Sequence, residues 1–184
     1  MKKDIFLQGD QISLRILNET DVEGNYAKWL NDPEITRYNS HGRFPMTIEK
    51  LKEYVQDVKG SNAHMVLAVV DNLNHRHIGN ISIQNINWID RNAEIAFLLG
   101  EKEYWGKGVM QEAGKMLIHH AFSVLNLHRI YCGTSSENTG MQRLAEKLGM
   151  HREGIRKEAI FKDGKYSDII EYGIVGAHDD FINQ

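Results

Sequence analysis

The sequence predicts an α/β layered domain whose mixed, mostly antiparallel sheet is built in the order βααβββαβαββ. Three observations predict it. Strand-like runs at 64–70, 77–85 and 92–100 follow one another across short turns, as in an antiparallel meander. A helical stretch at 109–125, a strand at 129–134 and a helix at 139–148 come next and supply one βαβ unit. The last two strands, 152–161 and 166–175, are joined by Lys162-Asp163-Gly164-Lys165, with the Asp-Gly pair that favours a tight hairpin at its centre.

Each element has its own local reason. Residues 9–17 alternate Ile12, Leu14 and Ile16 with Ser13 and Arg15, the period of a half-buried strand. Thr20 with Glu23 three residues on is a capping-box pattern, opening a helix through Trp29 and Leu30. Asn31-Asp32-Pro33 stops it, because the residue before a proline is pushed out of the helical region. Residues 34–46 read as an irregular loop. Thr47 starts a second helix, with Ile48, Leu51, Tyr54, Val55 and Val58 at helical spacing. Trp29 and Tyr54 are therefore expected in the core, and Lys50, Lys52 and Glu53 on a solvated face. Turn residues at 60–62, 72–74 and 90–92 separate the strands. The helix at 109–125 carries the stripe Val109, Ala113, Met116, Leu117, His120, Ala121 and Val124. Gly149 ends the helix that follows, as a left-handed residue just past a helix end.

The totals fit one domain over 1–184. The chain has 184 residues, 41% apolar and 26% charged, enough for a real core. Its formal charge of −3 shows no basic excess of the kind that phosphate-backbone binding requires, so no nucleic-acid partner is expected. Cys132 stands alone, which excludes an internal disulfide and a cysteine metal pair and fits a reducing cytoplasm. The opening lysines are not followed by an apolar segment, so they do not read as a signal peptide. No run approaches the ~20 apolar residues that span a bilayer, and no membrane partner is expected. His75 with His77, and His119 with His120, lack the i, i+4 spacing that puts two ligands on one helix face, so no metal is expected.

The segment that carries chemistry is Trp-Gly-Lys-Gly-Val-Met at 105–110. It follows a strand and opens a helix. Gly106 and Gly108 let the backbone turn sharply and expose its N–H groups. The helix start behind them adds unpaired donors and a positive dipole end, and Lys107 adds a cation. That is an anion site suited to a pyrophosphate. It is neither a Walker A loop, which needs Gly-x4-Gly-Lys-Ser/Thr, nor the dinucleotide fingerprint, whose third glycine is here Gln111. By itself such a loop can also be a connection that binds nothing.

The loop and the segments around it resemble the GNAT acetyltransferase superfamily. The resemblance rests on ISLRIL, ETD and WLNDPEITRY near the start, the loop itself, and FSVLNLHRIYCG, SSEN, LAEKLGM, REGIRKEAIF and KDGKYSDIIEYGI after it. Trp105 in the loop's first position is similar to the branch containing ribosomal-protein N-terminal acetyltransferases and spermidine acetyltransferases. The resemblance implies an enzyme that uses acetyl-CoA. Backbone groups of Phe97, Leu98 and Leu99 would pair with its pantetheine arm like an added strand. A splay between that strand and 129–134 would make the slot. Gly106, Lys107, Gly108, Val109 and Met110 would hold the pyrophosphate. Asn138 would contact coenzyme A, although an N-cap role is its alternative.

The implied reaction is direct attack of an amine on the thioester. Glu94 is the candidate base, against the plain reading of a solvent-facing strand glutamate. A backbone N–H around Leu98 or Leu99 is the candidate oxyanion donor. The acid is missing from its usual places, which hold Ala145 where relatives have tyrosine and Met141 where others have serine. Tyr131, Cys132 and Tyr166 remain, with Cys132 the better fit to a core residue. The acceptor wall is expected from 32–45, 88–91 and the last hairpin, with Tyr38, Asn39, His41, Arg43, Trp88 and Asp168 as candidates. The acceptor classes are an N-terminal α-amine, a polyamine and an amino group on a nucleotide-linked sugar. A polyamine site should be strongly acidic, whereas the Asn, Ser, His and Arg of 32–45 suit a sugar or nucleotide hydroxyl and phosphate. This leans toward a sugar-type or peptide-type acceptor. A non-catalytic acyl-CoA-binding module is the competing reading. The family's frequent dimers imply a homodimer.

Overall fold

The computed structural model describes residues 4–176. The expected domain's ends, 1–3 and 177–184, lie outside the described residues. The strands are β1 (Ile5–Gln8), β2 (Ile12–Ile16), β3 (Met65–Asp71), β4 (His77–Asn87), β5 (Asn92–Leu99), β6 (Arg129–Ser135), β7 (His151–Lys162) and β8 (Lys165–Val175). They form one sheet in the order β1-β2-β3-β4-β5-β6-β8-β7. All neighbours are antiparallel except β5 and β6, which run parallel. The helices are α1 (Glu19–Asp21), a π-helical turn (Val22–Tyr26), α2 (Ala27–Asn31), α3 (Ile48–Lys59), α4 (Val109–Ser123) and α5 (Thr139–Lys147), with a 3-10 turn at Lys102–Tyr104.

Strand alternation sorts the sheet's two faces. Ile81, Ile83, Ile95 and Ile130 turn toward α4 and α5 and share one core with Leu117 and Ala145. Ala68, Val70 and Leu98 turn the other way, where Trp29, Leu51 and Val55 cover them. Trp29 is seated against Gly100, where a Cβ would overlap the indole. The final turn is as the Asp-Gly pair demands: Asp163 has φ 51° and Gly164 φ 79°. Gly149 has φ 80°, as a residue past a helix end.

The structure departs from the expectation in four places. A short strand, β1, pairs onto β2 at the sheet edge ahead of the first expected strand. The first helix is not continuous, because Gly24 leaves the helical region at ψ −133° and the turn around it widens. Its cap is Asn18 rather than Thr20: the Asp21 carboxylate accepts from the Asn18 N–H at 2.8 Å. Tyr54 is 39% exposed, and Val124 is exposed because α4 ends one residue before it.

A buried polar cluster lies beneath that broken helix, bonded throughout except at Asn80 Nδ2. Arg15 donates twice to Asp21, at 2.7 and 2.6 Å. His77 Nδ1 sits 3.4 Å from the same carboxylate, and its Nε2 lies 2.8 Å from Asn80 Oδ1. Burial alone would raise the Asp21 pKa. Arg15, His77 and the Asn18 amide overcome it and hold the carboxyl below its ordinary value. Burial holds the His77 imidazole below its ordinary range despite Asp21.

Candidate active site

Pairing between β5 and β6 covers only Asn92–Arg129, Ala93–Ile130 and Glu94–Tyr131. Beyond Glu94 the two strands part, while β5 stays paired to β4 through Gly79–Leu99. The result is a slot with a free strand edge. Two fixed points tell which backbone groups line it. The Gly100 N–H bonds Ile78 on the β4 side, at 3.0 Å, and the Arg91 carbonyl accepts from Arg129 on the β6 side, at 3.1 Å. Alternation then turns Phe97 and Leu99 toward the slot and Leu98 toward β4. Of the three residues expected there, two present their amides. The Leu99 carbonyl is taken by the Trp105 indole N–H, 3.1 Å away, which ties the glycine turn to the strand end.

That turn is built as its composition requires. Gly106 and Gly108 have φ 75° and 82°, and a Cβ on either would point into open space. No side chain caps α4; Gln111 and Glu112 N–H close onto the Gly108 carbonyl and Lys107 N–H onto that of Tyr104, so the N–H groups of Gly108, Val109 and Met110 precede the first helical bond. Val109 and Met110 bury their side chains in the core, so only their backbone is available. Lys107 lies with its ammonium 5.5 Å from the Tyr104 ring centroid. Asn138 caps α5, its side chain accepting from the Met141 N–H at 3.1 Å, which leaves its Nδ2 as the group for a ligand. A free strand edge, two positive-φ glycines opening outward and an uncapped helix start together fit a pantetheine arm and its diphosphate.

Glu94 stands at the last pair before the slot opens, half-buried, and accepts from Asn85 Nδ2 at 3.1 Å. Tyr131 is its neighbour across the strands. Burial, then Glu94 and Glu171, raise the Tyr131 pKa and keep its hydroxyl protonated. Cys132 points to the opposite face, into the core. Burial pushes its thiol up to about 12, and its Sγ packs 3.8 Å from Met150 Sδ. Ala145 is buried and Met141 packs on the same core. Tyr166 is exposed and leans on Phe161, away from the slot.

The expected acceptor residues divide. Tyr38 lines a cavity of about 240 Å³ between the 32–46 loop and the β7–β8 hairpin. Asn39 and His41 do not line it but hold the hairpin to the loop: Lys162 donates to the carbonyls of Thr36, Asn39 and His41, and Arg43 donates to the Phe161 carbonyl at 3.1 Å. Trp88 is elsewhere. It sits at the β4–β5 turn, at the end of β5 away from the glycine turn, and its indole bonds the Asn62 carbonyl at 2.9 Å. Asp168 is occupied within the hairpin. Its oxygens accept from Lys157 and from the Glu158 N–H, both at 2.9 Å, and so hold a bulge where Glu158 has φ 48°. Arg37, Ser135, Glu137, Lys162 and Lys165 also line the cavity and were not singled out from the sequence. Arg37 falls within the expected 32–45 wall, and the SSEN and KDGK segments hold Ser135, Glu137, Lys162 and Lys165.

Comparison with known proteins agrees with this geometry. A family model described as the acetyltransferase (GNAT) domain matches residues 11–151. The probable N-acetyltransferase YjcK of Bacillus subtilis is 31% identical over 170 residues, 88% of this chain and 92% of that protein. The crystal structure of spermidine N-acetyltransferase from Vibrio cholerae in complex with CoA and spermine aligns with TM-score 0.83 and 28% identity, over 91% of this chain and 96% of that one. The fold is also that of the ribosomal L7/L12 α-N-protein acetyltransferase RimL, with TM-score 0.84 at 18% identity over 94% of this chain and 98% of that one.

Proposed function

The chain belongs to the GNAT acetyltransferase family, and from that premise we propose that it moves an acetyl group from acetyl-CoA to a primary amine by direct attack in a ternary complex. The observation that carries this reading is the gap between β5 and β6 opening at Glu94, next to an uncapped helix start. Acetyl-CoA supplies the acyl group as a thioester. Phe97 and Leu99 bind its arm along the slot, and the amides at Gly106, Gly108, Val109 and Met110 receive its diphosphate. Glu94 takes the proton that the ammonium must lose. A slot-facing amide of β5 donates to the carbonyl oxygen as charge builds there. The new bond joins nitrogen to the acyl carbon, the carbon–sulfur bond breaks, and Tyr131 gives the departing sulfur its proton.

The magnitudes support turnover without the usual acid. Orienting two bound substrates is worth roughly 7–11 kcal/mol of barrier, and general acid–base help only ~10²–10⁴-fold. The acceptor is a protein N-terminus or a small amine such as an amino sugar. The whole chain acts as one catalytic domain, in the cytoplasm, as a homodimer.

Release of free thiol from acetyl-CoA across a panel of amines tests the reaction. Turnover with at least one amine is expected. Tight acetyl-CoA binding with no release for any amine would sink the reading and favour a non-catalytic acyl-CoA-binding module, which the core positions of Ala145 and Met141 motivate.

A further inference from the structure

Charges on the acceptor side are unevenly compensated. Three carboxylates there are already paired: Glu137 with Lys165 at 2.7 Å, Asp168 with Lys157 at 2.9 Å, and Glu171 with Arg156 at 2.5 Å. The cavity of about 240 Å³ is lined by the cations Arg37, Lys162 and Lys165 against the carboxylates Glu137 and Asp163, three against two. Arg37 makes no ion pair within 4 Å among the described residues, although its charge helps hold the Glu137 carboxyl down, and its guanidinium rests over the Tyr38 ring, 5.3 Å from its centroid. Lys162 donates its hydrogen bonds to carbonyls and feels the Asp163 charge only through space. The lining therefore carries one excess positive charge. With Lys162 engaged by carbonyls, its donor without a close ion pair is a guanidinium, the group whose planar fork matches an oxyanion.

Position matters as much as charge. Tyr131 and Ser135 turn to the same face as Glu94 by alternation. Ser135 lines the cavity four residues beyond Tyr131, roughly 13 Å further along the strand at ~3.3 Å per residue. An acceptor with its nitrogen at Glu94 therefore reaches Arg37 only with a group several bonds away. A free amino acid, whose amine and carboxylate share one carbon, is too short. A polyamine would set its further ammonium groups against Arg37 and Lys165.

Resting on the N-acetyltransferase reading above, we propose that the acceptor is an amine bearing a remote anionic group, a phosphate or a carboxylate, and that Arg37 receives this group in the cavity beneath the β7–β8 hairpin. This separates the chain in acceptor class from its relatives named spermidine acetyltransferases.

The test measures thiol release with spermidine, glucosamine, glucosamine 6-phosphate, a nucleoside-diphosphate-linked amino sugar, and a short peptide with or without an acidic side chain. Each anionic amine is expected to exceed its neutral counterpart in kcat/KM. The phosphate and carboxylate arms identify which anion the site takes. Arg37→Glu should raise KM for the anionic acceptor about tenfold or more, the scale of one charge-assisted hydrogen bond, with kcat nearly constant. Arg37→Lys should restore part of the loss. Spermidine as the best acceptor, or an anionic preference that survives Arg37→Glu, overturns the proposal. If no amine is acetylated, the reaction reading fails first, and calorimetric titration of uridine diphosphate into the CoA-saturated protein still decides this one. Binding that Arg37→Glu abolishes upholds the anion site, and no binding to the unsubstituted protein refutes it.

Discussion

Arg15, Asp21 and His77 form one polar cluster against the sheet; Glu94 and Tyr131 form another, on the same face. In the first, Arg15, Asp21 and His77 each meet a partner, through two guanidinium bonds, the Asn18 amide and Asn80 Oδ1, while the buried Asn80 Nδ2 is left unbonded. In the second, Glu94 accepts one amide and faces a gap that no strand fills. Both contain a carboxylate next to a titratable ring. Burial of polar groups alone would rank the first cluster higher, since Asp21 is among the buried residues and Glu94 is not. The difference teaches that a site is marked by polar groups with room for a ligand, whereas a closed network holds backbone in place.

Four measurements can break or sharpen that contrast. The largest effect is expected from Glu94→Gln, which should cut turnover at neutral pH by ~10²-fold or more and leave acetyl-CoA affinity and melting temperature nearly unchanged. Steady-state kinetics with calorimetric binding checks it, and an unchanged rate removes Glu94 from the mechanism. Asp21→Ala should do the reverse. Leaving Arg15 without its partner should cost about 3 kcal/mol of stability, read by urea unfolding, while the folded enzyme keeps its turnover. A smaller loss is expected from Gly108→Val. The left-handed backbone costs a branched residue ~1–2 kcal/mol, so the amides shift and the Kd for coenzyme A rises about tenfold. Equal Kd values in the two proteins would show that the turn does not grip the diphosphate.

The smallest effect is a slope with pH. The His77 pKa lies below its unfolded value of ~6.5. Below that pH the unfolded chain takes up a proton that the folded one resists, so the contribution of neutral His77 is whole above ~6.5 and falls with acidification. Asp21 works lower down: its contribution is present above ~3.9 and lost as pH falls through its depressed folded value. Urea midpoints at pH 7 and 5.5 should differ less in His77→Gln than in the unsubstituted protein. An equal drop in both would assign the slope to other groups.

The contrast also explains what the sequence reveals. The glycine turn is legible because backbone recognition needs positive φ, and Gly106 and Gly108 are the cheapest way to write it. The meander and final hairpin are legible for similar local reasons, period-two alternation and Asp163-Gly164. The break at Gly24 is harder to see, because a lone glycine inside a helical pattern is usually tolerated. The Asn18 cap hides behind a second plausible capping box two residues later. The cavity is legible as a place, between the 32–45 loop and the last hairpin, but not in its charges. Arg37, Lys162 and Lys165 read as ordinary surface charges until folding sets residue 37 beside 135 and 165. Trp88 and Asp168 show the converse: chemically suitable groups are engaged by a neighbouring carbonyl or by a bulge, and no local pattern announces that.

Lys162 reaches back across more than a hundred residues to the carbonyls of Thr36, Asn39 and His41. On the ribosome, then, the early loop waits for almost the entire polypeptide to emerge before its shape is set. The glycine turn and its helix are complete some forty residues sooner, so the diphosphate end of the site is laid down before the wall opposite can be fastened.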